Sequence, residues 1–232
     1  MSHDLRSPLS SVQGYIETIL MKENKLSDTE RKEYLETILK NVINLNRLVH
    51  ELFELSKLDA MENGPLFEPF SIAELAQDVV LKFQQQAEQK EIHLITKIPV
   101  NLPFVSADIG MIDRVLSNFI DNALRFTPSN GKICIELTAA DDNVRIKIID
   151  SGSGIPAEEI PYIFDRFYKV EKSRAPNTGG SGLGLAIAKK ILDAHGSEVK
   201  VESSPGSGTV FTFKLKQYRN VTVKQKQFSK KI

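Results

Sequence analysis

The chain has 232 residues, 41% hydrophobic and 26% charged, which excludes wholesale disorder and leaves room for two folded units or one large one. No apolar run reaches the ~18 residues of a membrane span, and the Met1-Ser2-His3-Asp4 start lacks the basic and apolar regions of a signal peptide. The single cysteine, Cys134, excludes an internal disulfide and fits a reducing, cytoplasmic setting. Thirty basic and thirty acidic residues balance, so bulk charge gives no reason to propose nucleic acid. Residues 216–232 carry six basic side chains and no acidic one, which leaves the remainder at −6 and reads as a solvated basic tail.

The first sixty residues read as two helices. Leu5, Leu9, Val12, Ile16 and Ile19 recur at steps of three or four and form one apolar stripe. Ser27 and Glu30 have capping-box spacing and open a second helix. In it Leu35, Ile38, Val42, Leu45, Val49, Leu52 and Leu55 follow a near-heptad repeat. A lone hairpin of this size buries little core, so its stripes need another surface, and pairing of two chains into a four-helix bundle supplies one. Residues 61–70, with one glycine and two prolines, break the periodicity and read as a linker and hinge. Ser71 and Glu74 repeat the capping pattern and start a helix to about Glu91; a strand follows over 92–98 and a helix over about 108–126. Residues 132–138 and 144–150 alternate like strands around an Asp-Asp-Asn turn. A loop-rich stretch leads to a helix near 183–194, stopped by Gly196, and two strands close the pattern at 198–203 and 208–214. Helices and strands without strict alternation predict an α+β fold, a mixed sheet faced by helices.

Four segments carry chemistry. Asn118 and Asn122 are one turn apart and, with Arg125, line a stripe separate from the apolar face of their helix. Asparagine is a mediocre helix former; such a stripe is either solvated surface or a set of amide oxygens directed at hydrated Mg²⁺ with a cation for phosphate. Asp150-Ser151-Gly152-Ser153-Gly154 follows a strand: the glycines permit close backbone approach to a ligand and the aspartate can accept from an exocyclic amine, but the segment also suits a plain strand-to-helix turn. Gly179-Gly180-Ser181-Gly182-Leu183-Gly184 runs into a helix N-terminus, where free N–H groups and the helix dipole favour an anion. It has neither the ending of a Walker A loop nor the spacing of a dinucleotide fingerprint. The preceding residues 165–178 have the length and composition of a lid, with Arg166, Lys169, Lys172 and Arg174 as phosphate contacts or as solvated charges.

The fourth segment is His3-Asp4-Leu5-Arg6-Ser7-Pro8-Leu9. His3 and Ser7 share a helix face, and Asp4 can orient the imidazole through one ring nitrogen and leave the other as a nucleophile. Pro8 removes one helical N–H. His50 and His93 have no partners at ligand spacing, and His195 reads as a favourable helix C-terminal residue, so no zinc site is expected.

Taken in order, these segments resemble the cytoplasmic catalytic portion of the sensor histidine kinases of bacterial two-component systems. Residues 3–9 resemble the phosphoacceptor box, and 116–128 (Leu-Ser-Asn-Phe-Ile-Asp-Asn-Ala-Leu-Arg-Phe-Thr-Pro) the asparagine box. Residues 150–156, 163–168 and 179–185 resemble the first glycine box, the phenylalanine box and the second glycine box, and 206–213 the closing turn and strand.

The resemblance implies a helical hairpin forming a dimeric four-helix bundle over 1–60, a hinge over 61–70, an ATP-binding α/β sandwich of the gyrase, Hsp90 and MutL type over 71–215, and a basic tail over 216–232. It implies that Asp150 receives the adenine amine, that Phe126 packs on the base, and that Gly152 and Gly154 shape the pocket. Asn122 would hold Mg²⁺ with Asn118 beside the metal, and Arg125 would be a basic phosphate contact, to which Arg166 and Lys169 of the lid stretch are added as candidate ATP contacts on their charge alone. Gly180, Gly182 and Gly184 would line the phosphates of ATP, with Leu183 as an anchor. His3 would take the γ-phosphoryl group, with Asp4 as orienter and base, and pass it to an aspartate of a response regulator. Ser7, where many relatives carry threonine or asparagine, leaves room for phosphatase activity toward that regulator. The start two residues before His3 is expected to be a cut within a longer receptor, whose sensor and any anchor lie elsewhere. Two alternatives stand beside this reading: a nucleotide-binding, non-catalytic dimeric scaffold, and an ATP hydrolase on the same sandwich. The second is opposed by Asn118, which stands where hydrolysing relatives carry a glutamate and cannot act as a general base.

Overall fold

A computed structural model describes residues 2–22, 25–61, 64–170 and 180–219 of the chain. It opens with an antiparallel hairpin of α1 (Ser2–Met21) and α2 (Asp28–Asp59). The start of α2 is fixed by chemistry local to the sequence: the Ser27 hydroxyl accepts from the Glu30 amide, and the Glu30 carboxylate accepts from the Ser27 amide. Pro8 lies within α1. Tyr15 meets Tyr34 with ring centroids 5.3 Å apart, and the Asn41 amide donates to the Ser11 hydroxyl. Extended along the antiparallel pair, this register sets the first turn of α1, with His3, level with residues 46–49 of α2.

The second module contains β1 (Glu68–Phe70), α3 (Ile72–Gln89), β2 (His93–Lys97), β3 (Val105–Ala107), α4 (Ile109–Phe126), β4 (Lys132–Ala140), β5 (Asn143–Asp150), a 3₁₀ turn (Ile160–Tyr162), α5 (Gly184–Ala194), β6 (Lys200–Ser203) and β7 (Thr209–Lys216). Five strands form one sheet in the order β2-β4-β5-β7-β6, with β2 parallel to β4 and the other pairs antiparallel. The period of two decides which face is buried: Ile133, Ile135 and Leu137, Val144, Ile146 and Ile148, and Phe211, Phe213 and Leu215 all reach the core. Against them α4 sets Ile112, Val115, Leu116, Phe119 and Ile120, all sealed from solvent, and Phe119 stacks on Phe211 at 4.7 Å. Side chains of this size contribute about 2–3 kcal/mol each on burial, so this face holds the sandwich together.

The fold differs from the sequence reading in two places. Within the stretch read as a hinge, residues 68–70 pair as β1 with β3, a two-stranded antiparallel sheet beside the main one. The Leu66 amide also donates to the Asp108 carboxylate. Three-residue strands with one pairing edge carry no alternation long enough to register in sequence. His195 does more than end α5: its Nε2 accepts from the Asp108 amide and its Nδ1 lies 2.8 Å from the Ile191 carbonyl, tying the start of α4 to the end of α5. No helix among the described residues is long and apolar enough to cross a membrane.

The two modules touch. Leu55 of α2 is 2% exposed and joins the core of the second module, with Leu52 and Leu58 packed around it. The Arg114 guanidinium holds both oxygens of Glu54, and Asp59 pairs with Arg166 at 2.7 Å and with Lys190 at 3.0 Å.

Candidate functional site

A cavity of about 430 Å³ opens between α4, the turn after β5, the segment preceding α5, and α2. Its inner end is built on Asp150, the last residue of β5, which is 6% exposed. Asp150 Oδ1 accepts from the Gly152 amide at 2.8 Å and the Thr209 amide at 3.2 Å; neither bond goes to Oδ2. Burial pushes the Asp150 carboxyl above its ordinary value, and the two amide donors pull the other way. An aspartate fixed through one oxygen presents the other as an acceptor for an amine. Gly154 lies at φ +69° with the Ser204 carbonyl 1.9 Å from where a Cβ would stand, so only glycine lets this turn close over the cavity.

The other end is built on one face of α4. Asn118, Asn122 and Arg125 line the cavity here, and Phe126 lines it toward Asp150, its carbonyl accepting from the Ser153 amide. Asn118 Nδ2 is buried without a hydrogen-bond partner. An orphaned donor of this kind is costly unless a ligand oxygen completes it. Arg125 Nη2 pairs with Asp121 at 2.8 Å; burial pulls the pKa of its guanidinium below the ordinary value, and the Asp121 charge pulls the other way. Arg125 lies against Gly180: a Cβ there would stand 1.9 Å from Nη1, so the glycine makes room for the cation. Gly182, Gly184 and Lys169 also line the cavity, and Gly184, which opens α5, lies close to the Asn118 side chain, so the N-terminus of α5 borders the cavity.

Not every anticipated residue faces the cavity. Leu183 is fully buried in the core just ahead of α5, and Gly152 acts through its amide on Asp150. Arg166 is held by Asp59 of α2 and is not among the lining residues. Ser7 is exposed on α1, while the side chains of His3 and Asp4 lie outside what is described. Residues 171–178 of the stretch read as a lid, with Lys172 and Arg174, lie outside the described residues, as do Gly179 and 220–232 of the basic tail. Sequence reasoning missed Thr209, whose contribution is a backbone amide carrying no side-chain signal. It also missed Arg47 and Glu51 of α2, which line the cavity from the hairpin.

Two family models match the chain: the His Kinase A (phospho-acceptor) domain over residues 1–60, and the histidine kinase-, DNA gyrase B- and HSP90-like ATPase over residues 107–219. Sensor protein SrrB of Staphylococcus aureus is 37% identical over 215 residues, 93% of this chain and 36% of that protein. The chain thus spans about a third of the length of the curated relatives it matches. Histidine kinase AdeS of Acinetobacter baumannii superposes with a TM-score of 0.73 at 26% identity, over 94% of this chain and 98% of that one. The catalytic domain of histidine kinase ThkA matches at 31% identity with a TM-score of 0.58, over 66% of this chain and 96% of that one. ThkA in complex with response regulator protein TrrA matches with a TM-score of 0.75 at 30% identity, over 94% of this chain and 60% of that one.

Proposed function

For a chain that belongs to the sensor histidine kinase family, we propose ATP-dependent phosphorylation of its own His3, followed by transfer to an aspartate of a response regulator. The observation that carries this is the cavity with a buried, half-satisfied aspartate at one end and two asparagines, an arginine and a helix N-terminus at the other. Its two ends suit the two ends of ATP: Asp150 Oδ2 would accept from the adenine amine beside Phe126, and the amides opening α5, Asn118 and Arg125 would receive the phosphates. Asn122, with Asn118 beside it, would hold Mg²⁺, which would supply positive charge to offset that of the phosphates. The donor set fits this group, since amide oxygens on one helix face leave most of the coordination sphere to water and phosphate.

In the transfer, a neutral imidazole nitrogen of His3 forms the P–N bond as the bond from the γ-phosphorus to the bridging oxygen breaks and ADP leaves. Asp4 holds the imidazole and takes up the proton lost from the ring. The reaction passes through a loose transition state, so positioning dominates, and the level of the first turn of α1 beside α2 favours it. The phosphohistidine then donates to the regulator docked on the hairpin, which would act as a homodimer. Ser7 would orient a water for hydrolysis of the regulator's phosphoaspartate, which releases phosphate. The receptor would place this portion in the cytoplasm.

The test is incubation of the chain with Mg²⁺ and γ-labelled ATP beside His3→Gln. Label on the wild type that survives alkali but not acid, and is absent from the variant, is the expected result. Equal labelling of both would remove His3 as the acceptor. Absence of label from a version extended upstream of His3, with nucleotide still bound, would favour the scaffold reading.

A further inference from the structure

The hairpin lends two side chains to the cavity. Arg47 and Glu51, one turn apart on α2, line it beside Asn118, Asp121 and Arg125. They pair at 3.7 Å, and Arg47 Nη2 also donates to Asn44 Oδ1 at 2.8 Å. Glu51 is only 7% exposed, and its Oε2 is buried without a hydrogen-bond partner. A helix surface needs no such group, because a buried carboxylate with one uncompensated oxygen opposes folding. Arg47 is near enough to Arg125 for its charge to weigh on that guanidinium. In this cavity each guanidinium is held by a carboxylate, Arg47 by Glu51 and Arg125 by Asp121, while a donor of Asn118 in the same lining is unmet. Two cations that repel each other, in one cavity lining with an unsatisfied donor, suit a multiply charged anion.

We infer that Arg47 is a further binding residue of the nucleotide site, contributed by α2, and that its ligand is the terminal phosphate of a nucleoside triphosphate. This rests on reading the cavity as the ATP site. Glu51 holds the guanidinium, and the phosphate displaces Glu51 when the triphosphate enters. A diphosphate, one phosphate shorter, does not reach Arg47. Since the first turn of α1 lies level with residues 46–49, the same contact ties the γ-phosphate to the hairpin at the height of His3.

The experiment measures equilibrium binding of ATP and of ADP, each with Mg²⁺, to the full chain, to Arg47→Met and to Glu51→Gln. Methionine keeps helix propensity and removes the charge. The expected result for Arg47→Met is ATP binding weaker by about tenfold with ADP changed by less than about twofold, the scale of one charged hydrogen-bond pair. Glu51→Gln is expected to bind ATP more tightly, since the competing carboxylate is gone. Unchanged ATP affinity in Arg47→Met, or equal loss for ATP and ADP, would overturn the proposal and leave the reading of the site standing. Weaker ATP binding in Glu51→Gln would overturn the holding role of Glu51. Failure of the wild-type chain to bind either nucleotide would overturn the site reading and this proposal with it.

Discussion

Asp150 concentrates the chemistry of the inner pocket in one side chain. Burial raises its pKa, so the folded protein binds its proton more tightly than the unfolded chain does. The sign follows: as pH rises from the ordinary aspartate value to the raised one, the unfolded state ionises first, and stability falls across that window. In Asp150→Asn this fall should vanish, which urea titrations at a series of pH values would reveal as a flatter profile. The same variant should lose most ATP affinity in a binding titration, because an amide can turn its NH₂ toward the adenine amine and leave two donors facing each other. Retained wild-type affinity would remove Asp150 from the base-recognition role. The sequence marked this residue as an aspartate at a strand end before a glycine pair, but it held no sign of the Thr209 amide, which arrives from a strand 59 residues later.

At the scale of elements, the docking of α2 on the second module combines one apolar anchor with several ion pairs. Leu55 is almost wholly buried, whereas Glu54 and Arg114 are each about a third exposed. The anchor should dominate: Leu55→Ala is expected to lower stability by about 2–4 kcal/mol, seen as a lower urea midpoint. Glu54→Gln should cost less than about 1 kcal/mol despite its two-oxygen contact, because water and salt screen a pair this open. Equal costs for the two would mean that charge, not burial, holds the modules together. The elements themselves were largely legible, since α2, α3 and α4 each open at a side-chain cap (Ser27, Ser71 and Asp108) that sits next to the helix it starts. The pairing of β1 with β3 was not, because residues 68–70 meet their partners at 105–107 and nothing within either three-residue stretch announces the other.

For the whole molecule, the hairpin leaves a line of apolar side chains uncovered: Leu35, Val42 and Val49 are 52%, 38% and 53% exposed. These are successive positions of the heptad repeat, so the face has the period of a helix-bundle seam. Sedimentation of the 26.0 kDa chain is expected to give twice that mass, and Val42→Glu to return it to the monomer. A monomeric wild type would show that the stripe serves another surface. The sequence by itself determined the two-module plan, the capped helices, the core faces of the sheet and the polar stripe of Asn118, Asn122 and Arg125. Each of these depends on neighbours within a few residues, through a helical or strand period or a local cap. Only the tertiary structure decided that Arg166 turns to Asp59, that Arg125 needs Gly180 for room, and that Arg47 and Glu51 reach the cavity. Those pairings join residues from different elements, and charges remote in sequence find one another only after buried leucines and phenylalanines have fixed the distance between them.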